Sequence, residues 1–519
     1  AARLRAVRRP REPPGGSRLP PQEDLRLSDL QNVRIPAECP YAGRSGGLKE
    51  SPYERGQRRE MRCWAEVAGG LRWCGGMLNW QELIYNAPLG HKARNKRAAC
   101  LLQDLLQGHT ANSHGIAGAS PELDQTANQG AWRFLDSKHL NLPSLYQPVH
   151  AALAQKIPVG QRAYILHDVS VVDYSRHDRK EDLCVVGDGR GYGYELFSSL
   201  VLDGEGKPLG CLGSELRTIH GLLSWQTKEV LPFVDHLEQT ERAVGAAALL
   251  LPGRQLVHVA DREFDDLQLL RRCSASLFII RAQHLNRKVR KGEQRLSLRE
   301  AASLVPLSEA GIVKRRADFT TKEYSLHQGE TEVIFDGKSR RGVANKGQSP
   351  QPGEPLRVRV VVTELRRKGE PPLRWVLLTN LTDSVAEVVK GYLSRWLVER
   401  LFFLEKVGFK LESWHQENGQ RIARRLALVQ LAAMVLYELL KLEPDEPMWE
   451  LVQAIARLGG HKGKSRRPLS PTALMRGLMR LWAALDALQD VDQPTLQRWR
   501  HQLQQLFGTN TPRRRRGVL

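Results

Sequence analysis

Cysteine is scarce and unpatterned in this chain. Its seven cysteines (Cys39, Cys63, Cys74, Cys100, Cys184, Cys211 and Cys273) stand apart, none in a CxxC pair, and their number is odd. A zinc site or a disulfide framework is therefore not expected, and a reducing compartment is. Long apolar runs are also missing. No stretch reaches the ~18–20 residues that span a bilayer, and LALVQLAAMVLYELL at 426–440 has the length of a buried core helix. The N-terminus has no signal-peptide core, and RRPREPPGG is too broken by proline for an amphipathic transit helix. No membrane association is expected, and the cytoplasm is the expected location. Acidic residues are in deficit: 57 Asp and Glu face 78 Lys and Arg, a net charge of +21. That excess points to a polyanionic partner, of which nucleic acid is the commonest.

What is present reads as several segments, since 519 residues correspond to about three or four domains at roughly 150 residues each. Residues 1–75 are rich in Pro, Arg and Gly, lack periodicity and are expected to be disordered. Residues 76–150 turn helical, with two apolar segments around a basic turn (Lys92, Arg94, Lys96, Arg97) and a second helix carrying Trp132 and Arg133. Such a cluster suits phosphate contacts, or is a solvated helix face. From 151 to 286 strand-like runs dominate: RAYILHDVSVVDYS, GRGYGYELFSSLVLD, QLVHVADREF and SLFIIRAQH. GDGRGYG lacks the order of a phosphate loop and reads as a hairpin turn. Residues 287–372 are charged and turn-rich and predict an inserted β subdomain. RWVLLTN begins a return to the core over 373–415, and 416–519 is helical with a basic tail, Arg513 to Arg516.

The stretch GYLSRWLVERLFFLEK at 391–406 is a largely apolar helix that also carries Tyr392, Arg395, Glu399 and Lys406. On one continuous helix Arg395, Glu399 and Lys406 fall at roughly 300°, 340° and 320° around the axis from Tyr392. The four share a stripe, and a solvent-facing face would look the same. Asp168 closes the apolar run AYILHD, where a strand exposes its last residue at a sheet edge, and Asp261 closes LVHVAD. Either could be a cap or a turn former; Asp173 rivals Asp168, and Asp265 and Asp266 follow Asp261. Two strand-borne aspartates and a helix-borne glutamate that converge repel one another unless cations are present. They would suit Mg²⁺ or Mn²⁺, and two such ions about 3.5–4 Å apart can activate a nucleophile and stabilise a leaving oxygen.

The order Asp168, Asp261, Glu399, with the last in Y-x2-R-x3-E-x6-K, resembles the DDE transposases of the insertion-sequence-four family. APLGHKARNKR, QGAWRFLDS, HDVSVVDYS, VADREFDD, FIIRAQH, RWVLLTN and IARLGGHKGK extend the likeness in colinear order. The resemblance implies a ribonuclease-H-like α/β core with a mixed sheet, a β-strand insertion and helical N- and C-terminal domains. It implies Asp168, Asp261 and Glu399 as ligands of two Mg²⁺ or Mn²⁺ ions. Tyr392, Arg395, Lys406 and Arg281 would contact DNA phosphates. Trp375 would stack in the pocket of a flipped base, and Arg94, Arg97 and Arg133 would bind the transposon end. Phe402 and Phe403 depart from the family pattern, which often has polar residues there. The implied activity is cut-and-paste transposition: hydrolysis at the transposon end, a DNA hairpin, its opening, and attack of the 3′-OH on target DNA. The implied partners are inverted-repeat ends, target double-stranded DNA and a second copy of the chain in a synaptic complex at a bacterial nucleoid. A Mg²⁺-dependent nuclease of the same fold, or a non-cleaving regulator that occupies the ends, are the alternatives.

Overall fold

The structure is a computed structural model that describes residues 80–107, 125–187, 189–317, 320–337, 353–446, 448–461, 469–488 and 491–507. The leader expected over 1–75 and the tail Arg513–Arg516 lie outside the described residues. Met77–Leu519 is one compact unit.

Four helices come first: α1 (Trp80–Tyr85), α2 (Lys92–Gln107), α3 (Gln125–Asp136) and α4 (Leu142–Lys156). The basic residues expected in a turn instead begin α2; the turn itself is Asn86–His91, and across it Asn95 of α2 donates from Nδ2 to the Ile84 and Tyr85 carbonyls at the end of α1 at 2.9 Å each. Strands β1 (Arg162–Asp173), β2 (Cys184–Val186), β3 (Gly191–Asp203), β4 (Pro208–Thr218), β5 (Gly221–Leu223) and β6 (Val230–Leu231) follow. Helix α5 (His236–Leu250) starts at Asp235, whose side chain accepts the Glu238 N–H at 2.8 Å. Then come β7 (Gln255–Ala260), α6 (Leu267–Arg272) and β8 (Leu277–Arg281).

β1 runs antiparallel to β3, and β3 to β4, while on its other side β1 runs parallel to β7 and β7 to β8. Its residues Ala163–His167 are buried on both faces, as an apolar β-branched and aromatic run in a central strand should be. The fold is thus mixed α/β around a large mixed sheet.

Segment 287–372 does not stand apart as a subdomain. Strands β9 (Lys288–Lys291) and β10 (Gln294–Ser297), helix α7 (Leu298–Ser303), and strands β11 (Ser308–Ala317), β12 (Thr320–Phe335), β13 (Leu356–Arg367) and β14 (Glu370–Thr379) extend the same sheet. Its fourteen strands run β10-β9-β12-β13-β14-β8-β7-β1-β3-β4-β5-β6, with β11 on β12 and β2 on β3. The link is β14, whose Leu377–Thr379 pair with Arg281–Ile279 of β8. Many basic residues of this region are paired with acids: Arg357 with Glu332, Arg366 and Arg374 with Glu364, and Lys322 with Glu370.

The chain ends in α8 (Val385–Leu393), α9 (Trp396–Phe403), α10 (Gly419–Leu439), α11 (Trp449–Leu458), α12 (Pro471–Leu488) and α13 (Gln493–Phe507). α10 contains most of the run expected as a core helix and is buried along nearly its whole length. Leu102, Leu153, Ile165, Leu200 and Leu431 belong to one apolar cluster, so the N-terminal helices, the sheet and α10 share a core. Each fully buried leucine or isoleucine there contributes roughly 1.5–3 kcal/mol. α11 and α12 approach so closely that a Cβ on Gly477 would stand 1.8 Å from the Ile455 carbonyl oxygen. Among the described residues, no helix is long and apolar enough to cross a membrane.

Candidate catalytic centre

Asp168 sits where β1 loses a neighbour. β7 accompanies β1 as far as His167↔Ala260, whereas β3 stays paired through Asp168↔Ser198 to Asp173↔Gly193. The sequence predicts a strand that ends at Asp168 and exposes it at a sheet edge; instead β1 continues to Asp173 and lies between β7 and β3. It is central, and its parallel partner ends beside it. The groove that opens there leaves Asp168 half-buried. Asp261, the first residue after β7, accepts the Arg262 N–H at 2.6 Å and caps the 3-10 turn Arg262–Phe264. Its cap role and its place in the groove coexist. Asp266 caps α6, and buried Asp265 accepts from Gln283 N, His284 N and Arg287 Nη1. Asp173 forms a turn, its Oδ1 accepting from Ser175 N at 2.8 Å and Ser175 Oγ at 2.6 Å.

The stretch 391–406 is not one helix. α8 ends at Leu393, Ser394 Oγ donates back to the Gly391 carbonyl at 2.6 Å, and α9 begins at Trp396. Hydroxyl back-bonding of this kind bends helices. After Phe403 the chain widens into a π turn, Leu404–Gly408, where Phe409 N donates to the Leu404 carbonyl at 2.9 Å. A uniform 100° step therefore fails on both sides of α9. Lys406 consequently leaves the stripe. Its ammonium bonds the Val171 carbonyl and pairs with Glu412 at 3.3 Å, at the far end of β1. Phe402 is buried and Phe403 exposed.

Arg395, placed at the break, gathers all three carboxylates. Its Nη1 donates to Asp168 Oδ2 at 3.0 Å and its Nη2 to Glu399 Oε1 at 2.7 Å, and Nη2 lies 3.7 Å from Asp261 Oδ2. The residue is 6% exposed. Tyr392 Oη donates to Asp261 Oδ1 at 3.3 Å, and Arg281 Nη1 stands 3.8 Å from the same oxygen. Burial pushes the Asp168 carboxyl up to about 6; the Arg395 charge opposes this, and Glu399 and Asp261 add to it. Burial, and then the Asp261 charge, push the Tyr392 phenol up to about 12. Trp375, half-buried on β14, lies 6.5 Å from the Tyr392 ring between centroids.

Three converging carboxylates are the donor chemistry that a hard divalent cation takes. Yet among the described residues no group of three or more His, Cys, Asp or Glu side chains is arranged to hold a metal ion. In this structure the cation that the three acids meet is the Arg395 guanidinium. The donor set fits; the arrangement is that of an arginine-bound cluster.

A buried histidine pair lies beside the cluster. His167 Nε2 meets His258 Nδ1 at 2.9 Å, and His167 Nδ1 meets Ser199 Oγ at 2.9 Å. Burial holds the His258 imidazole down at about 4, and burial, then His258, holds His167 well below its ordinary value. Two neutral rings thus tie β1 to β7 and to β3 directly behind Asp168 and Asp261. Each histidine interrupts an apolar strand, His167 directly before Asp168 and His258 three residues before Asp261, a signal that the sequence offers but that points to no chemistry by itself.

The three arginines expected at the DNA end lie among the first helices. Arg94 bonds the Leu89 carbonyl and reaches the His139 carbonyl at 3.5 Å. Arg97 lies against Gly130 of α3, and Arg133 is exposed. Between the π turn and the next turn, Lys410 is exposed and adopts φ +53°, the one non-glycine residue with positive φ among the described residues. Lys410→Gly relieves roughly 1–2 kcal/mol of left-handed strain but frees the unfolded chain by roughly 0.4–1 kcal/mol. A small net rise in melting temperature is expected; calorimetry showing a fall would mean the lysine side chain holds the turn.

No protein-family model matches the chain.

Proposed function

We propose that this chain is a DNA transposase of the DDE type, which binds transposon ends, cleaves them and joins the 3′-OH to target DNA. The observation that carries this reading is the convergence of Asp168, Asp261 and Glu399 on Arg395, in the groove where β1 and β7 part. The antiparallel β4–β3–β1 set joined to the parallel β1–β7–β8 set supports a ribonuclease-H-like core. The net charge of +21 supports a DNA partner.

Asp168, Asp261 and Glu399 would hold two Mg²⁺ or Mn²⁺ ions. When bound, such a pair activates an attacking oxygen and stabilises a leaving one in an in-line displacement at phosphorus. Tyr392 and Arg281, both beside Asp261, offer a hydroxyl donor and a cation to the phosphate being transferred. Trp375, next to Tyr392, offers a ring face to a base displaced from the duplex. The backbone ladder of β1 and β7 sets the spacing of the strands that carry Asp168 and Asp261, and the neutral His167–His258 pair braces it on one face. A homodimer would bring two ends together.

The test is to incubate the purified chain with Mg²⁺ and linear DNA bearing the inverted repeats that flank its gene, with a second DNA as target. Cleavage at the repeat ends and joining to the target are expected. Nicking at random positions would make the protein a nuclease, and binding without cutting would make it a regulator.

A further inference from the structure

We propose that Arg395 is an internal counter-ion that occupies the cation position of the carboxylate cluster, and that DNA phosphate draws it out. The proposal rests on the reading of Asp168, Asp261 and Glu399 as cation-holding carboxylates. One guanidinium nitrogen is bonded to Asp168, and the other is bonded to Glu399 and lies near Asp261. Inward-facing oxygens of all three acids are thereby engaged, and even with Arg281 3.8 Å from Asp261 two guanidinium charges face three carboxylates. The remaining charge attracts a divalent cation, and the guanidinium blocks it. Arginine does not lose its proton in proteins, so the block lifts only by movement.

The structure supplies the route. Arg395 lies at the break between α8 and α9, outside regular helix. Its Cζ is 5.1 Å from the centre of the Trp396 ring, and Trp396 is 57% exposed. A guanidinium can slide across that aromatic face towards solvent with its charge partly compensated. A DNA phosphate at the mouth of the groove would receive it as a bidentate partner. DNA and divalent cation then bind cooperatively, since the cation finds the carboxylates free only after the phosphate has taken the arginine.

The measurement is Mn²⁺ affinity of the full chain, read by paramagnetic resonance of free Mn²⁺, with and without a short blunt duplex. Without DNA, Arg395→Gln is expected to bind Mn²⁺ about tenfold or more tighter than the wild type, within the usual range of coupling between sites. The duplex is expected to raise wild-type affinity by a similar factor and that of Arg395→Gln by less than about threefold. An arginine that only braces the fold would change stability and leave Mn²⁺ affinity alone. Equal affinities in the two proteins, or no effect of the duplex on the wild type, overturn the proposal. If Arg395→Gln does not fold, the wild-type duplex arm decides alone. Asp168→Asn separates the two readings. Mn²⁺ binding that Asp168→Asn leaves untouched overturns the cation site itself; binding that it abolishes, with no dependence on Arg395 or DNA, overturns only the counter-ion role.

Discussion

If the chain is the transposase proposed above, Glu399→Gln is expected to lower end cleavage about a thousandfold or more and to leave the protein folded and bound to DNA. The magnitude follows from the charge it removes. Cation-assisted stabilisation of a phosphoryl transition state is worth several kcal/mol, and each ~1.4 kcal/mol is tenfold in rate. The fold is spared because the Glu399 side chain is 40% exposed and its pairing with Arg395 spans one helical turn. Glutamine keeps a hydrogen bond to the guanidinium, which also retains its partner Asp168. The check is a cleavage gel run beside a mobility shift and a melting curve. Activity within tenfold of wild type, with DNA binding intact, would place the chemistry elsewhere.

On the same reading Asp168→Asn is expected to abolish cleavage and, with chelator present, to stabilise the protein at alkaline pH. The sign follows from linkage. Asp168 in the folded chain holds its proton up to about pH 6, higher than a free carboxyl does. The associated stability is therefore present at acid pH and lost as the pH rises through about 6. Above that, the ionised buried carboxylate costs the fold on the order of 2 kcal/mol, because burial outweighs the pull of Arg395. Asparagine never ionises and escapes that cost. The melting temperature of the variant should exceed wild type at pH 8, and the gap should close between about pH 6 and pH 4. An asparagine variant that is less stable than wild type at pH 8 would mean that the Arg395 pairing outweighs burial.

The acids of the centre were readable because each breaks a local pattern. Asp168 and Asp261 interrupt apolar runs, and Glu399 interrupts an apolar helix; such interruptions need only neighbours in sequence to be noticed. How Asp168 is exposed was not readable, because it depends on where β7 stops, about ninety residues later in the chain. A wheel that assumes unbroken helix puts Arg395 and Lys406 on one stripe. A serine back-bond and a π turn, each shifting the chain by a fraction of a turn, separated them. The insertion was set apart by its charged composition, yet three backbone pairings between β14 and β8 make it part of the sheet. Composition records what a strand exposes to water, not which strand it joins.

The scattering of the centre along the chain has a consequence for its synthesis. Asp168 and Asp261 emerge from a ribosome well before Arg395 and Glu399. Between them come the strands β8 to β14, of which β14 must reach back about a hundred residues to pair with β8, a slow kind of pairing. Until α9 is made, the two aspartates have neither the third acid nor the arginine that holds them together, so a nascent or truncated chain carries no complete centre. DNA-cutting capacity, on the reading proposed above, arrives only when translation has passed residue 399.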